Sequence, residues 1–343
     1  MAATTPTPGI AADPHRLKRA LRDYRGPRPA RSVVEVAITI LPFVGLWALT
    51  WAGLHAGYAI ALVLVIPAAA FLVRLFMIQH DCGHHSFFRS RRINDWVGRI
   101  LGVITLTPYA FWRYTHARHH AGHGKLDGPR VGGINTLTVD EYRALPAGPR
   151  LRYRLYRHPL ILFGLGPAWV FLVDNRLPMG FMKAGWMPWI STMGTNLAIA
   201  AGVAVMVTLV GAGPFVLIHL PIMLLAASVG VWLFYVQHQF EETYWAHDED
   251  WRFHEASLHG SSHYDLPGPL RWVTANIGVH HVHHLCSGIP GYRLPEVLRD
   301  YPELRRVSRL TLFESLRLIR LGLWDEDKQR LVSFREARAG ASA

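Results

Sequence analysis

The chain has 343 residues, half of them apolar and only 17% charged, which excludes a disordered or collagen-like chain and argues against an ordinary soluble enzyme. Lys and Arg number 36 against 24 Asp and Glu, a formal charge of +12 that suits nucleic acid or an anionic membrane surface. Two cysteines, Cys82 and Cys286, exclude a disulfide framework and a four-thiolate cluster, whereas the 20 histidines are roughly three times average usage.

Residues 1–32 read as a polar, basic N-terminal segment with a disordered start and no cleavable signal peptide. Residues 33–78 form the first long apolar run, interrupted at 51–57. A membrane-spanning helix needs about 20 apolar residues, so this run predicts two spans, 33–53 and 57–78, joined by a tight Gly-containing turn. Arg74 is the single charge of the second span, and Glu35 begins the first, where a helix end reaches the interface. Residues 79–187 are expected to be cytoplasmic and interfacial. Within them, 98–110 is a candidate re-entrant or interfacial segment, 150–157 alternates basic and aromatic residues, and 159–173 is apolar but broken by Gly and Pro. The last two are expected at the membrane surface, with the basic side chains on lipid phosphates.

Residues 188–236 predict a second pair of spans, 188–210 and 214–236. Residues 237–343 return to a charged composition, and 294–332 alternates apolar and charged positions at helical spacing, which predicts a peripheral helical cap. Seven of the basic residues precede the first span, fifteen lie in 79–187 and thirteen in 237–343, with none in the two short turns. The positive-inside rule then places both termini and the central region in the cytoplasm, the chain being multi-pass in the cell's inner (plasma) membrane. Because the basic groups fringe apolar spans, the expected partner is lipid and no nucleic acid. The expected fold is all-α: four transmembrane helices in two hairpins under a cytoplasmic helical cap.

Three histidine clusters fall in the expected cytoplasmic regions: His80 and His84 just after the second span, then His116, His119 and His120, then His280, His283 and His284. Residues three and four apart share a helix face, so each cluster aims two or three imidazoles at one point. Protonated rings packed this densely repel, and neutral ones gain little; a metal removes the conflict. Eight imidazoles exceed the four of a tetrahedral zinc and suit two metals, with iron indicated where oxygen is the oxidant. His238, directly after the fourth span, is the expected ninth ligand. Asp81, His85, Glu241 and His281 adjoin the clusters and are candidates to orient the ligating rings, as His123 is to support them. Trp112, Tyr114, Trp232, Phe234 and Tyr235 lie close to these histidines in sequence and are candidate walls of an apolar substrate tunnel. No protein nucleophile or acid–base pair is identified; the metal is expected to carry the chemistry.

These boxes, of the forms HxxxH, HxxHH and HxxHH, resemble those of the membrane fatty acid desaturase family in spacing, order and placement relative to two membrane hairpins. The stretches 80–87 and 283–292 resemble the acyl-lipid Δ12 (omega-6) branch, and 126–128, 136–142 and 235–241 resemble its bacterial members. The resemblance implies a di-iron centre, O2 as co-substrate, a membrane lipid acyl chain as substrate and a cis double bond as product. On the matching positions it implies His80, His84, His116, His119, His120, His238, His280, His283 and His284 as ligands. The chain carries no haem motif, dinucleotide fingerprint or four-cysteine set, so an external electron donor, ferredoxin-like or cytochrome-type, is expected. Two alternatives stay open: a related di-iron hydroxylase or ketolase, and, in another class, a zinc-dependent membrane hydrolase or a metal transporter.

Overall fold

The computed structural model describes residues 14–128 and 132–339; the expected disordered start, 1–13, lies outside them. A short helix, α1 (Pro14–Leu21), precedes α2 (Pro29–His55), which opens on a proline, where the missing N–H has no helical partner to lose. A 3-10 segment, Ala59–Leu64, leads into α3 (Val65–Gly83) and completes the first hairpin. The central region comprises α4 (Arg91–Ile104), α5 (Tyr109–Gly122), β1 (Leu137–Thr138), α6 (Val139–Ala144), α7 (Ala147–Tyr156), a π-helical turn at Ile161–Leu165 and α8 (Gly166–Leu172). The second hairpin is α9 (Trp186–Val210) and α10 (Ala212–His238), joined at Gly211, whose φ of +87° is a left-handed conformation that glycine adopts without steric cost.

Four helices are therefore long and apolar enough to cross a membrane: Pro29–His55, Ala59–Gly83, Trp186–Val210 and Ala212–His238. Two of them run past their apolar stretch into polar sequence, α3 through His80 and α10 as far as His238. That overrun carries His80 and His238 on rigid helix ends. α3 and α10 pack together at the centre around Leu72, Leu75, Ile218 and Ile222, all buried. α9 lies outermost: none of its central apolar window is buried, against 44% for that of the helix ending at Gly83.

The two charges of the first hairpin meet. The buried Arg74 guanidinium pairs with the buried Glu35 carboxylate and donates to Thr39 Oγ1 at 3.1 Å, while Arg31 reaches the other Glu35 oxygen at 2.6 Å. Trp272 covers the guanidinium at 4.1 Å. Removing one member of such a pair leaves an uncompensated buried charge, at a cost of about 3–5 kcal/mol.

After α10 come α11 (Phe253–Leu258), β2 (His263–Asp265), α12 (Gly268–Val273), α13 (His280–Leu285), α14 (Leu294–Asp300), β3 (Arg309–Thr311), β4 (Leu321–Asp325) and β5 (Arg330–Ser333). The molecule is mostly helical as expected, and 302–306 and 312–320 are helical turns, but the helical reading of 294–332 is corrected at Arg309–Thr311, Leu321–Asp325 and Arg330–Ser333, which are strands. There β4 pairs antiparallel with β5 and parallel with β1, and β3 pairs parallel with β2. The reason is burial on both faces: successive residues of a strand point to opposite sides, so Leu323 and Val332 pack with Val139, Tyr142 and Tyr153, while Trp324 and Leu331 pack with Leu126 and Trp245. The segment 161–176 bends 61° from α7 and packs on α10, with Leu160, Leu165 and Trp169 exposed on its outer side.

Candidate metal centre

Four elements bring the histidines together: the end of α3, the last two turns of α5, the last residue of α10, and α13. Two groups result. His80, His84, His116, His120 and His283 form one, and His119, His238 and His284 the other; within each, the candidate ligand nitrogens lie within 4.8 Å of one another. His280 adjoins the second group, its Nε2 at 3.0 Å from His238 Nε2 and 3.1 Å from His284 Nε2. All nine histidines expected as ligands thus sit in one double cluster.

The chemistry of this donor set fits cations. Nε2 faces Nε2 at 3.0 Å between His84 and His116 and at 3.1 Å between His120 and His116 and between His119 and His238. Each contact needs a proton on one ring and a lone pair on the other. His80 Nε2 and both nitrogens of His283 are buried without a hydrogen-bond partner. Unpaired buried polar atoms are costly, and a cation in each group would take up the lone pairs together. Burial first, and neighbouring rings second, hold His84, His116, His120, His280, His283 and His284 well below the ordinary histidine range; His119 is lowered in the same way. These seven rings are therefore neutral, the form that ligates a metal.

Orienting groups lie behind the rings. Asp81 Oδ1 is 3.3 Å from His80 Nδ1, and its other oxygen accepts from the Gly291 amide at 2.7 Å. His238 Nδ1 faces the Gly260 carbonyl at 3.4 Å, which assigns the proton to Nδ1 and frees Nε2 for metal. His123 uses the same carbonyl, and its ring lies 4.1 Å from that of His238, so it supports the second group. Trp112 stacks on His116 at 4.6 Å and 13°. Gly83 permits this, because a Cβ there would meet Trp112 Cζ3 at 2.8 Å.

Three expected orienting residues are placed elsewhere. Glu241 is exposed and ion-paired with Arg330, because the chain turns outward directly after α10. His85 faces Asp95 at 3.0 Å and Arg113 at 2.6 Å, tying α3 to α4 and α5. His281 points to the opposite side of α13 from the cluster and donates to Leu304 O at 2.9 Å.

Two cavities reach the cluster. The larger, of about 800 Å³, is an apolar slot between α3, α10 and the 161–175 segment; His80, His116 and His280 form its metal end. The second, of about 440 Å³, is more polar and is lined by His119, His123, His238, Lys125 and Asp248 among others. Phe234, Gly133 and Ile134 line both and so separate them. Trp112 and Phe234 are slot walls, as expected of them. Tyr114, Trp232 and Tyr235 are not: Tyr114 packs on Phe181, Trp232 points its Nε1 at Tyr264 OH, and Tyr235 donates to Leu318 O at 2.6 Å. Closeness in sequence did not place these rings, since helical phase turns each to another side. His123 stands where a supporting ring was expected. It lies four residues after His119, so one helical turn carries it to the same side.

The sequence profile of the family described as fatty acid desaturase matches residues 57–315. A protein of Bacillus subtilis named fatty acid desaturase is 43% identical over 328 residues, covering 95% of this chain and 92% of that protein. The sn-1 oleoyl-lipid 12-desaturase of Synechocystis is 30% identical over 235 residues, 65% of this chain and 63% of that protein. The sn-1 acyl-lipid omega-3 desaturase (ferredoxin) of Nostoc is 28% identical over 225 residues, 64% and 61% respectively.

Proposed function

The chain belongs to the fatty acid desaturase family, and from that premise we propose that it is an O2-dependent acyl-lipid desaturase of Δ12 (omega-6) type with a histidine-held di-iron centre. The observation that carries this reading is the apolar slot ending on His80, His116 and His280 of a nine-imidazole double cluster. In the proposed ligand set, His80, His84, His116, His120 and His283 hold one iron, and His119, His238, His280 and His284 the other. When bound, the iron pair supplies the oxidising power that no side chain has. The protein's own part is to gather nine rings, to aim His80 and His238 through Asp81 and the Gly260 carbonyl, and to lay an alkyl chain against the histidine end of the slot in a water-poor space. In overall balance, two hydrogens leave neighbouring CH2 groups; with O2, two electrons and two protons they yield a cis double bond and two waters.

The electrons come from a separate donor, of which the ferredoxin in the Nostoc relative's name is one example. The proposed topology puts both termini and the regions 1–32, 79–187 and 237–343 on the cytoplasmic side of the inner membrane, with 33–78 and 188–236 as the membrane hairpins. Arg28 and Arg31 sit at the end of the first hairpin that carries the histidines, and Arg31 pairs with Glu35 one turn on, which supports that orientation.

Expression in a host of known lipid composition tests the reading, with His120→Ala as control. New dienes in the lipid fraction, absent with the variant, are the expected result. Oxygenated chains would indicate a hydroxylase instead, and unchanged lipids from iron-loaded protein would refute the proposal.

A further inference from the structure

The slot has a feature that family membership does not explain. Met223, Gly230, Phe234 and Gln237 follow one another along the same face of α10, and all four line the slot opposite Leu72 and Phe76 of α3. Gly230 is inside a membrane helix, where glycine usually serves close helix–helix approach. It does not do so here: a Cβ built on Gly230 would meet no atom within 4 Å. The space beside it is the slot itself. Along the helix, Gly230 lies roughly 10 Å below Gln237, and Met223 roughly 10 Å further, at 1.5 Å per residue.

We infer that Gly230 is a specificity-determining residue: its bare backbone keeps the slot open between the metal end and Met223, and so decides how much of an acyl chain lies beyond the reacting carbons. This rests on the desaturase reading. Any side chain at position 230 projects into the path of the chain and shortens the usable slot without touching a histidine. Met223, deeper on the same face, acts in the opposite sense, since trimming it lengthens the space. Apolar pockets discriminate by about tenfold or more per methylene, so the effect should be read in chain-length profiles and not in total activity.

The test compares the full-length protein with Gly230→Ala, Gly230→Leu, Met223→Ala and a control, Val229→Phe, whose side chain is 43% exposed on the lipid side of the same helix. Each is measured in two ways. One is the thermal stabilisation given by a homologous series of saturated phosphatidylglycerols. The other is the distribution of unsaturated products in the host. With Gly230→Leu, the longest stabilising chain should shorten, and the share of products with the longest segment beyond the double bond should fall on the order of tenfold. Gly230→Ala should be intermediate, Met223→Ala should favour longer chains, and Val229→Phe should match the parent. A folded Gly230→Leu protein with the parent's profile in both measurements overturns the inference. A shift in stabilisation with no unsaturated lipid from the parent keeps the slot assignment and rejects desaturation. Unsaturated lipid with no shift rejects only the role of Gly230.

Discussion

The five-histidine group and the His119–His238–His284 group are built from the same side chain and share α5 and α13, yet their surroundings differ. Three of the five rings in the first are only partly buried, while all three in the second are buried. The first group faces the apolar slot through His80 and His116 and is braced by the Asp81 carboxylate. The second meets the polar cavity and is braced by a backbone carbonyl shared with His123. Under the proposed function the two cations would therefore have unequal surroundings: five rings beside the apolar slot, and four rings, with His280 included, in a more enclosed setting.

The largest expected effect follows from that inequality. His238→Ala should lose about half of the bound iron, because only His119, His280 and His284 remain in its group and the ring lost is the one that joins them, whereas His120→Ala should keep most of its iron on four remaining rings; both should stop double-bond formation. Metal analysis of the purified proteins measures this, and equal iron loss in the two would erase the distinction. A smaller effect is expected for Asp81→Ala. Without the carboxylate behind His80, metal retention against a chelator should weaken by about 10–100-fold, with the loss confined to the first group. Loss from both groups at once would mean that the two sites are one cooperative unit.

The smallest effect concerns the rim of the polar cavity. Exposed His247 is hydrogen-bonded to Asp127 at 2.9 Å and to Glu326 at 3.2 Å, and these two bonds raise its pKa above the ordinary value of 6.5. A raised folded-state value means that the charged form favours the folded arrangement. The contribution is therefore complete below pH 6.5 and fades as the pH rises through the folded value. Hydrogen exchange around residues 125–128 and 326–329 should accelerate modestly over that rise. His247→Gln should abolish the pH dependence, and the slot side should not respond.

Much of this arrangement was legible in the amino-acid order, for a definite reason. Apolar runs of spanning length and histidines spaced by three and four are local patterns, and helices convert them directly into spans and into clusters aimed at one point. Whatever depended on meetings between distant segments was not legible. Glu35 and Arg74 each stood out as an oddity in an apolar span, but nothing local said that they pair. Tyr114, Trp232 and Tyr235 share their helices with ligands and still face away from the slot. The strands at Leu321–Asp325 and Arg330–Ser333 were hidden because their apolar positions also suit a helical period, and only pairing with Leu137–Thr138 selects the extended form. Gly230 gave no signal, since an isolated glycine in a span most often marks contact and here marks room.

The ion pair between α2 and α3 bears on how the chain is made. A helix carrying a lone carboxylate, or a lone guanidinium, is a poor guest in hydrocarbon, so neither segment is well suited to leave the insertion machinery alone. Released together they neutralise each other, and the hairpin becomes the natural unit of biogenesis. Trp272, some two hundred residues later, covers the guanidinium, so the pair is sealed only once the chain beyond the second hairpin has been made.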